Sequence, residues 1–135
     1  MKKYIAIMGL VVLFPAAVFA AIPTGQYICH IKDVVDGDYT SKLVVARPDA
    51  TRPDAFDFRW AFENGETTNA TGLLVGDNHI AAIYRYDATK EKKIYAGVVE
   101  FTYNETTHTL AGSYARLGSR SPRGTESCVL AQDVQ

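Results

Sequence analysis

The chain is 135 residues long and carries 14 Lys and Arg against 15 Asp and Glu, a net charge of −1. Loss of Lys2 and Lys3 with an N-terminal signal peptide would change this net charge to −3. A weakly acidic chain of this length predicts one domain with one modest core, and it excludes electrostatic recognition of nucleic acid or of an anionic membrane surface.

The N-terminus has the three parts of a secretory signal peptide. Its two lysines precede an apolar run over residues 4–19, and the small residue Ala20 follows, after which we predict cleavage. A membrane-spanning helix is the alternative, but it needs about 20 apolar residues, and this run is shorter and interrupted by Pro15. We therefore predict a signal peptide over residues 1–20, a single domain over residues 21–135, and a periplasmic or secreted protein without a membrane anchor.

The rest of the chain alternates apolar and polar residues over short runs, which is typical of β-strands. The clearest alternation is in residues 56–62, where an aromatic ring occupies every second position. Turn-forming pairs such as Asn-Gly at 64–65 and Asp-Gly at 36–37 separate the runs. Only residues 87–93 could form a helical turn. The predicted strands are 24–34, 41–47, 56–62, 67–75, 79–86, 94–103, 109–117 and 126–131.

Cys29 and Cys128 are the only two cysteines, and they lie near opposite ends of the predicted domain. In an exported protein such a pair most often forms one disulfide, with two free thiols as the alternative. A disulfide requires the two Cα atoms to lie within about 7 Å, so the first and last strands are expected to be neighbours. This closure predicts an all-β fold, an eight-stranded antiparallel up-and-down barrel, with a β-sandwich as the alternative.

Short motifs in three places resemble the calycin barrels, the architecture of lipocalins and avidins. Residues 25–27 (GQY) are similar to the family's opening G-x-W or G-x-Y, and residues 110–114 (LAGSY) are similar to a late L-x-G-x-W/Y strand. Residues 124–126 (GTE) precede the last strand in a comparable way. The resemblance implies a barrel whose interior can hold one small ligand. Similar small barrels also act as bacterial periplasmic inhibitors of secreted proteases.

Candidate site residues are aromatic or basic. Those predicted to bind a ligand are Phe58, Trp60, Tyr84, Tyr114 and Arg116. In the Gly- and Ser-rich loop 118–124, Arg120 and Arg123 are predicted to contact a protein partner, because functional residues concentrate on loops held by a rigid scaffold. Core packing is the alternative explanation for the rings, and a solvated link is the alternative for the loop.

No catalytic residue, metal ligand or cofactor is predicted. The histidines have no metal-ligand spacing, and the chain has no G-x-S-x-G, H-E-x-x-H or P-loop motif. Arg85 and Arg116 lie within predicted strands, where an unpaired charge would be costly if buried. We expect Glu100 and Glu126 to be their partners.

These observations predict an exported, non-enzymatic binding protein. Its partner would be a small apolar molecule inside the barrel or a protein at the loop mouth. The alternatives are a periplasmic inhibitor or immunity-type protein that blocks a hydrolase, and a purely structural envelope protein. A cavity above about 300 Å³ would favour ligand binding, whereas a filled interior beside a prominent loop would favour the inhibitor. Clustered carboxyl groups with shifted pKa values would instead indicate a small hydrolase.

Overall fold

The structure is a computed structural model that describes residue 13 and residues 22–88, 90–119 and 123–131. Apart from residue 13, the predicted signal peptide lies outside the described residues, and so does Arg120. Across the part of the chain that is described, no helix is long and apolar enough to cross a membrane.

Eight antiparallel strands close into a barrel, in which each strand pairs with its neighbours in the sequence and the last strand pairs with the first. The strands are β1 (Gly25–Asp33), β2 (Gly37–Ala46), β3 (Ala55–Phe62), β4 (Thr67–Leu74), β5 (His79–Ala88), β6 (Lys93–Asn104), β7 (Thr109–Arg116) and β8 (Gly124–Leu130). The predicted eight-stranded up-and-down barrel is confirmed. Of the residues 87–93, for which a helical turn was considered, residues 87, 88 and 93 belong to strands and residues 90–92 form a turn, while residue 89 lies outside the described residues.

Strand β2 begins earlier than predicted because the turn before it is tight. The Oδ1 atom of Asp33 accepts hydrogen bonds from the backbone N–H groups of Val35 (2.8 Å) and Asp36 (2.9 Å), so one side chain closes the turn. Gly37 follows with a φ of 81°, which favours glycine. Residues 38–40 can then pair with β1 and extend the wall at this end of the barrel.

A disulfide between Cys29 and Cys128 joins β1 to β8 where the barrel closes. The two residues are paired directly across the strands, with a Cα–Cα distance of 3.9 Å, and both are fully buried. The predicted disulfide and the predicted neighbourhood of the first and last strands are therefore confirmed. A buried disulfide also fits an oxidising, exported compartment.

Side chains at every second position point into the barrel, and they fill one half of it. This filled half lies toward the start of β1 and contains Ile22, Tyr27, Leu43, Val45, Phe56, Phe58, Ile80, Phe101 and Leu110. Within it, the ring of Phe58 stacks on Phe101 with centroids 5.5 Å apart, and on Trp60 at 5.9 Å. Core packing thus accounts for the first half of the aromatic stripe in β3.

Candidate functional site

The other half of the barrel interior is open and forms a cavity of about 620 Å³, which we call the cup. Its buried lining residues are Ile31, Asp33, Trp60, Thr68, Val99 and Glu126. The turns β1–β2 and β3–β4 lie at this end of the barrel, since the strands alternate in direction, and so do the described residues of the β5–β6 and β7–β8 links. The cup is therefore a pocket with a solid floor and a mouth formed by loops.

Six aromatic rings line the wall of the cup. These rings belong to Tyr39, Phe62, Tyr84, Tyr86, Tyr95 and Tyr114. They pack as pairs, with Tyr84 edge-on to Tyr114 and Tyr86 stacked on Tyr95, each at a centroid distance of 6.3 Å. Such a wall offers both apolar faces and hydroxyl groups to a molecule in the cup.

Two glycines make room for these rings. A methyl group at Gly97 in β6 would collide with the ring of Tyr84 and with the carbonyl oxygen of Ala115. A methyl group at Gly124 in β8 would lie 2.7 Å from the hydroxyl oxygen of Tyr114. Because these two glycines have no side chains, the rings of Tyr84 and Tyr114 can lie directly against the neighbouring strands β6 and β8. The rings therefore leave the middle of the cup open.

Glu126 places a carboxyl group at the floor of the cup. Its residue is 6% exposed, and its Oε2 atom accepts a hydrogen bond from the indole Nε1 of Trp60 at 3.0 Å. Burial raises the pKa of Glu126 to about 7, although the hydrogen bond from Trp60 opposes part of this effect. The carboxyl group therefore changes its charge near neutral pH.

The same carboxyl group lies 3.6 Å from the Sγ atom of Cys128, within a cluster of Cys29, Cys128 and Glu126 that has metal-ligand spacing. Both sulfur atoms are joined in the disulfide, so they are not thiolates and carry no proton to donate. The sulfur–oxygen approach is therefore a packing contact, and the cluster does not offer the thiolate ligands of a metal centre.

Asp33 organises the mouth of the cup. Besides the two amides of the β1–β2 turn, its Oδ2 atom accepts hydrogen bonds from the hydroxyl of Tyr114 (2.7 Å) and the Nε of Arg123 (3.0 Å). Arg123 also donates to Asp36 at 3.1 Å. Burial alone would raise the pKa of Asp33, but the hydrogen bonds outweigh it, and the pKa lies below its usual value. Four hydrogen bonds occupy all the lone pairs of this carboxylate.

No family model and no curated protein matches this chain. Among solved structures, it is similar to a redesigned β-barrel, with a TM-score of 0.62 and a sequence identity of 9%. The alignment covers 81% of this chain and 91% of that chain. The likeness shows the fold alone. The closed antiparallel barrel of eight strands that the calycin resemblance implies is confirmed. The resemblance to calycins, lipocalins or avidins itself stays a prediction.

The structure brings four of the predicted ligand-binding residues together. Trp60, Tyr84, Tyr114 and Arg116 all line the cup, and Phe58 lies beneath its floor against Trp60. The predicted partner-binding residue Arg123 also lies at the mouth, where its side chain is only 17% exposed and forms ion pairs with Asp33 and Asp36. The other predicted partner-binding residue, Arg120, lies outside the described part of the chain.

The predicted pairing of strand arginines with Glu100 and Glu126 is wrong. Arg85 points outward and forms an ion pair with Asp87 at 3.2 Å. Arg116 places its guanidinium 4.1 Å above the centre of the Tyr95 ring. Neither arginine is buried, so neither needs the buried counter-charge that motivated the prediction.

Glu126 and Asp33 are not among the predicted site residues, although the sequence contains a signal for both. Glu126 precedes Cys128 by two positions, and Asp33 follows Cys29 by four. Residues an even number of positions apart on a strand share a face. Once the disulfide faces the interior, both carboxyl groups must point inward as well.

Proposed function

We propose that this protein is a non-enzymatic binding protein of the periplasm or the extracellular space, and that it holds a small molecule in the cup. The observation that carries this proposal is a cavity of about 620 Å³ with a solid floor, aromatic walls and a buried carboxyl group. Ligand sites are typically concave, about 300–1,000 Å³ in volume, mostly apolar, and provided with a few placed polar groups. The buried disulfide supports the exported location.

The polar groups change the expected ligand from purely apolar to amphipathic. An apolar molecule alone would leave the carboxyl group of Glu126 without water and without a new partner, which costs free energy. A ligand with both a ring or hydrocarbon body and a polar end fits the rings and the carboxyl group together.

The inhibitor or immunity-type reading has less support from the geometry. A partner-binding loop needs side chains that are free to contact the partner, whereas Arg123 is held by two carboxylates across the mouth of the cup. The barrel interior is also open at this end and not filled.

A small hydrolase is the second candidate, because two carboxyl groups of the cup have pKa values shifted in opposite directions. Asp33, however, already accepts four hydrogen bonds and has no lone pair left to take a proton or attack a substrate. Asp33 therefore cannot act with Glu126 as the pair of carboxyl groups that glycoside hydrolysis uses. Binding is therefore the better-supported function.

The test of this proposal is a substitution that fills the cup. The side chain of Thr68 is buried and lines the cup, so Thr68→Phe places a ring in the open space. We expect the neutral, polarity-sensitive fluorophore prodan to bind the wild type, and Thr68→Phe to weaken that binding by about tenfold or more, since the cavity is the site. Fluorescence titration measures both affinities.

The matched control is Thr71→Phe, the same change at an exposed position of the same strand. Its affinity for prodan should stay within about twofold of the wild type, because its ring points away from the barrel interior. Equal affinities in all three proteins would place prodan on the outer surface and contradict the proposal.

A further inference from the structure

We propose that the ligand of the cup is a small organic cation, whose protonated amine lies against Glu126 and whose apolar body lies among the tyrosine rings. This inference rests on the proposed function, because it assigns a chemical class to the molecule that the cup binds. Four independent features of the cup support it.

The first feature is the incomplete hydrogen bonding of the floor. The Oε2 atom of Glu126 accepts one hydrogen bond from Trp60, whereas its Oε1 atom accepts none from the described residues. No Lys or Arg side chain of the described chain forms an ion pair with it. Among the described residues, only Ser41 Oγ is a fully enclosed side-chain polar atom without a partner, so the Oε1 atom of Glu126 is open to the cup. Buried charges are normally paired, and no cation of the described chain pairs with this carboxyl group. An ammonium group from a ligand supplies both the missing donor and the missing charge.

The second feature is the sign of the charge around the cup. Six carboxyl groups line it, those of Asp33, Asp36, Asp38, Glu63, Glu66 and Glu126, against the two guanidinium groups of Arg116 and Arg123. Arg123 is neutralised by Asp33 and Asp36. Clefts lined by one sign of charge raise the local concentration of ligands with the opposite sign.

The third feature is the wall. A cation is attracted to the face of an aromatic ring, and five tyrosine rings line the same cup as Glu126. The cup already contains one such contact, because the guanidinium of Arg116 lies 4.1 Å above the centre of the Tyr95 ring. The same wall therefore suits the body and the charge of an aromatic or alkyl amine.

The fourth feature is the protonation of the groups that line the cup together with Glu126. These groups include Asp33 from β1, Tyr39 from β2, Trp60 from β3, Tyr84 from β5 and Tyr114 from β7. The pKa values of the three tyrosines are raised, mainly by burial, so these groups stay neutral near pH 7. The pKa of Asp33 is lowered, and it stays ionised. Glu126 alone among these groups changes charge near pH 7, which couples cation binding to the loss of its proton.

The experiment is a competition assay in which three compounds displace prodan from the cup. The probes are phenethylamine, which is a cation, phenethyl alcohol, which is its neutral counterpart, and hydrocinnamate, which is an anion of similar size. At about pH 8 we expect the amine to bind about tenfold or more tightly than either other probe. Between about pH 8 and pH 5.5 the affinity of the amine should fall by about tenfold or more, because it must then displace the proton of Glu126.

The variant Glu126→Gln keeps an acceptor for Trp60 and removes the charge. We expect it to lose the pH dependence and to weaken amine binding by about tenfold at about pH 8, while the affinity for phenethyl alcohol changes by no more than about threefold. The matched control is Glu105→Gln, the same change in the exposed β6–β7 turn, which should leave all three affinities unchanged.

An amine that fails to displace prodan, or that binds no better than the alcohol or the anion, overturns the assignment of a cation. An amine preference that survives in Glu126→Gln overturns it too. In these cases the proposed function still stands if Thr68→Phe blocks prodan. If Thr68→Phe leaves prodan binding unchanged, both proposals fail, so the two failures are distinguishable.

Discussion

Replacing both cysteines with alanine, Cys29→Ala with Cys128→Ala, is expected to lower the free energy of unfolding by about 4–5 kcal/mol. The disulfide joins residues 99 positions apart and so restricts almost the whole unfolded domain. It also lies at the seam between β1 and β8, which is the pairing that closes the barrel. Denaturant unfolding with linear extrapolation measures the loss.

The matched control removes side chains from the same two strands without touching the cross-link. Ile28 pairs with Val129 directly beside the disulfide, and the two residues are 38% and 46% exposed. Ile28→Ala with Val129→Ala should cost only about 1 kcal/mol, because the lost surface is already partly hydrated. If the free energy of unfolding falls no more in the cysteine variant than in this control, the disulfide does not stabilise the pairing of β1 with β8.

Glu126→Gln is expected to raise the free energy of unfolding by about 3 kcal/mol above pH 8 and to change it little near pH 4. Burial raises the pKa of Glu126 to about 7 in the folded protein, against its usual 4.5 in the unfolded chain. Between these values the folded state keeps a proton that the unfolded state has lost, so the stability of the wild type falls as the pH rises from about 4.5 to about 7. The neutral amide avoids this cost.

Unfolding curves at several pH values measure the free energy of unfolding of the variant and of the wild type. In the difference between these two free energies, the contributions of all other titrating groups cancel. Glu105→Gln is the control, because an exposed substitution in a turn should change stability by less than about 0.5 kcal/mol at every pH. If the free energies of unfolding of Glu126→Gln and the wild type differ by the same amount at pH 4 and at pH 8, the carboxyl group is not desolvated.

The fold could be predicted from the sequence because two independent signals agree. Alternating apolar residues mark the strands, with the rings of β3 as the clearest case, and the spacing of Cys29 and Cys128 requires the first and last strands to meet. Strand β2 begins earlier than the sequence predicts because the side chain of Asp33 closes the turn, so that Asp36 is the last residue of the turn and Gly37 already begins the strand. A side-chain cap of this kind is indistinguishable in sequence from any other acidic residue before a turn.

The candidate site was only partly predictable. Trp60, Tyr84 and Tyr114 could be selected as rings, but sequence does not say which rings fill the core and which surround a space. That division depends on the glycines at positions 97 and 124, whose role becomes visible only when their strands lie beside the tyrosines. The sequence analysis predicts Glu126 only as a partner of a strand arginine, and the charge of the floor follows only when the even spacing between Glu126 and Cys128 is considered.

The proposed binding of an organic cation requires that the carboxyl group of Glu126 is buried at the floor of an open cup and available to the ligand. A carbon NMR titration of the Glu126 carboxyl, with and without saturating phenethylamine, tests this directly. We predict a pKa of about 7 in the free protein and a pKa lower by about one or more in the presence of the amine. A free-protein pKa near the usual 4.5, or a pKa that the amine leaves unchanged, would contradict the account.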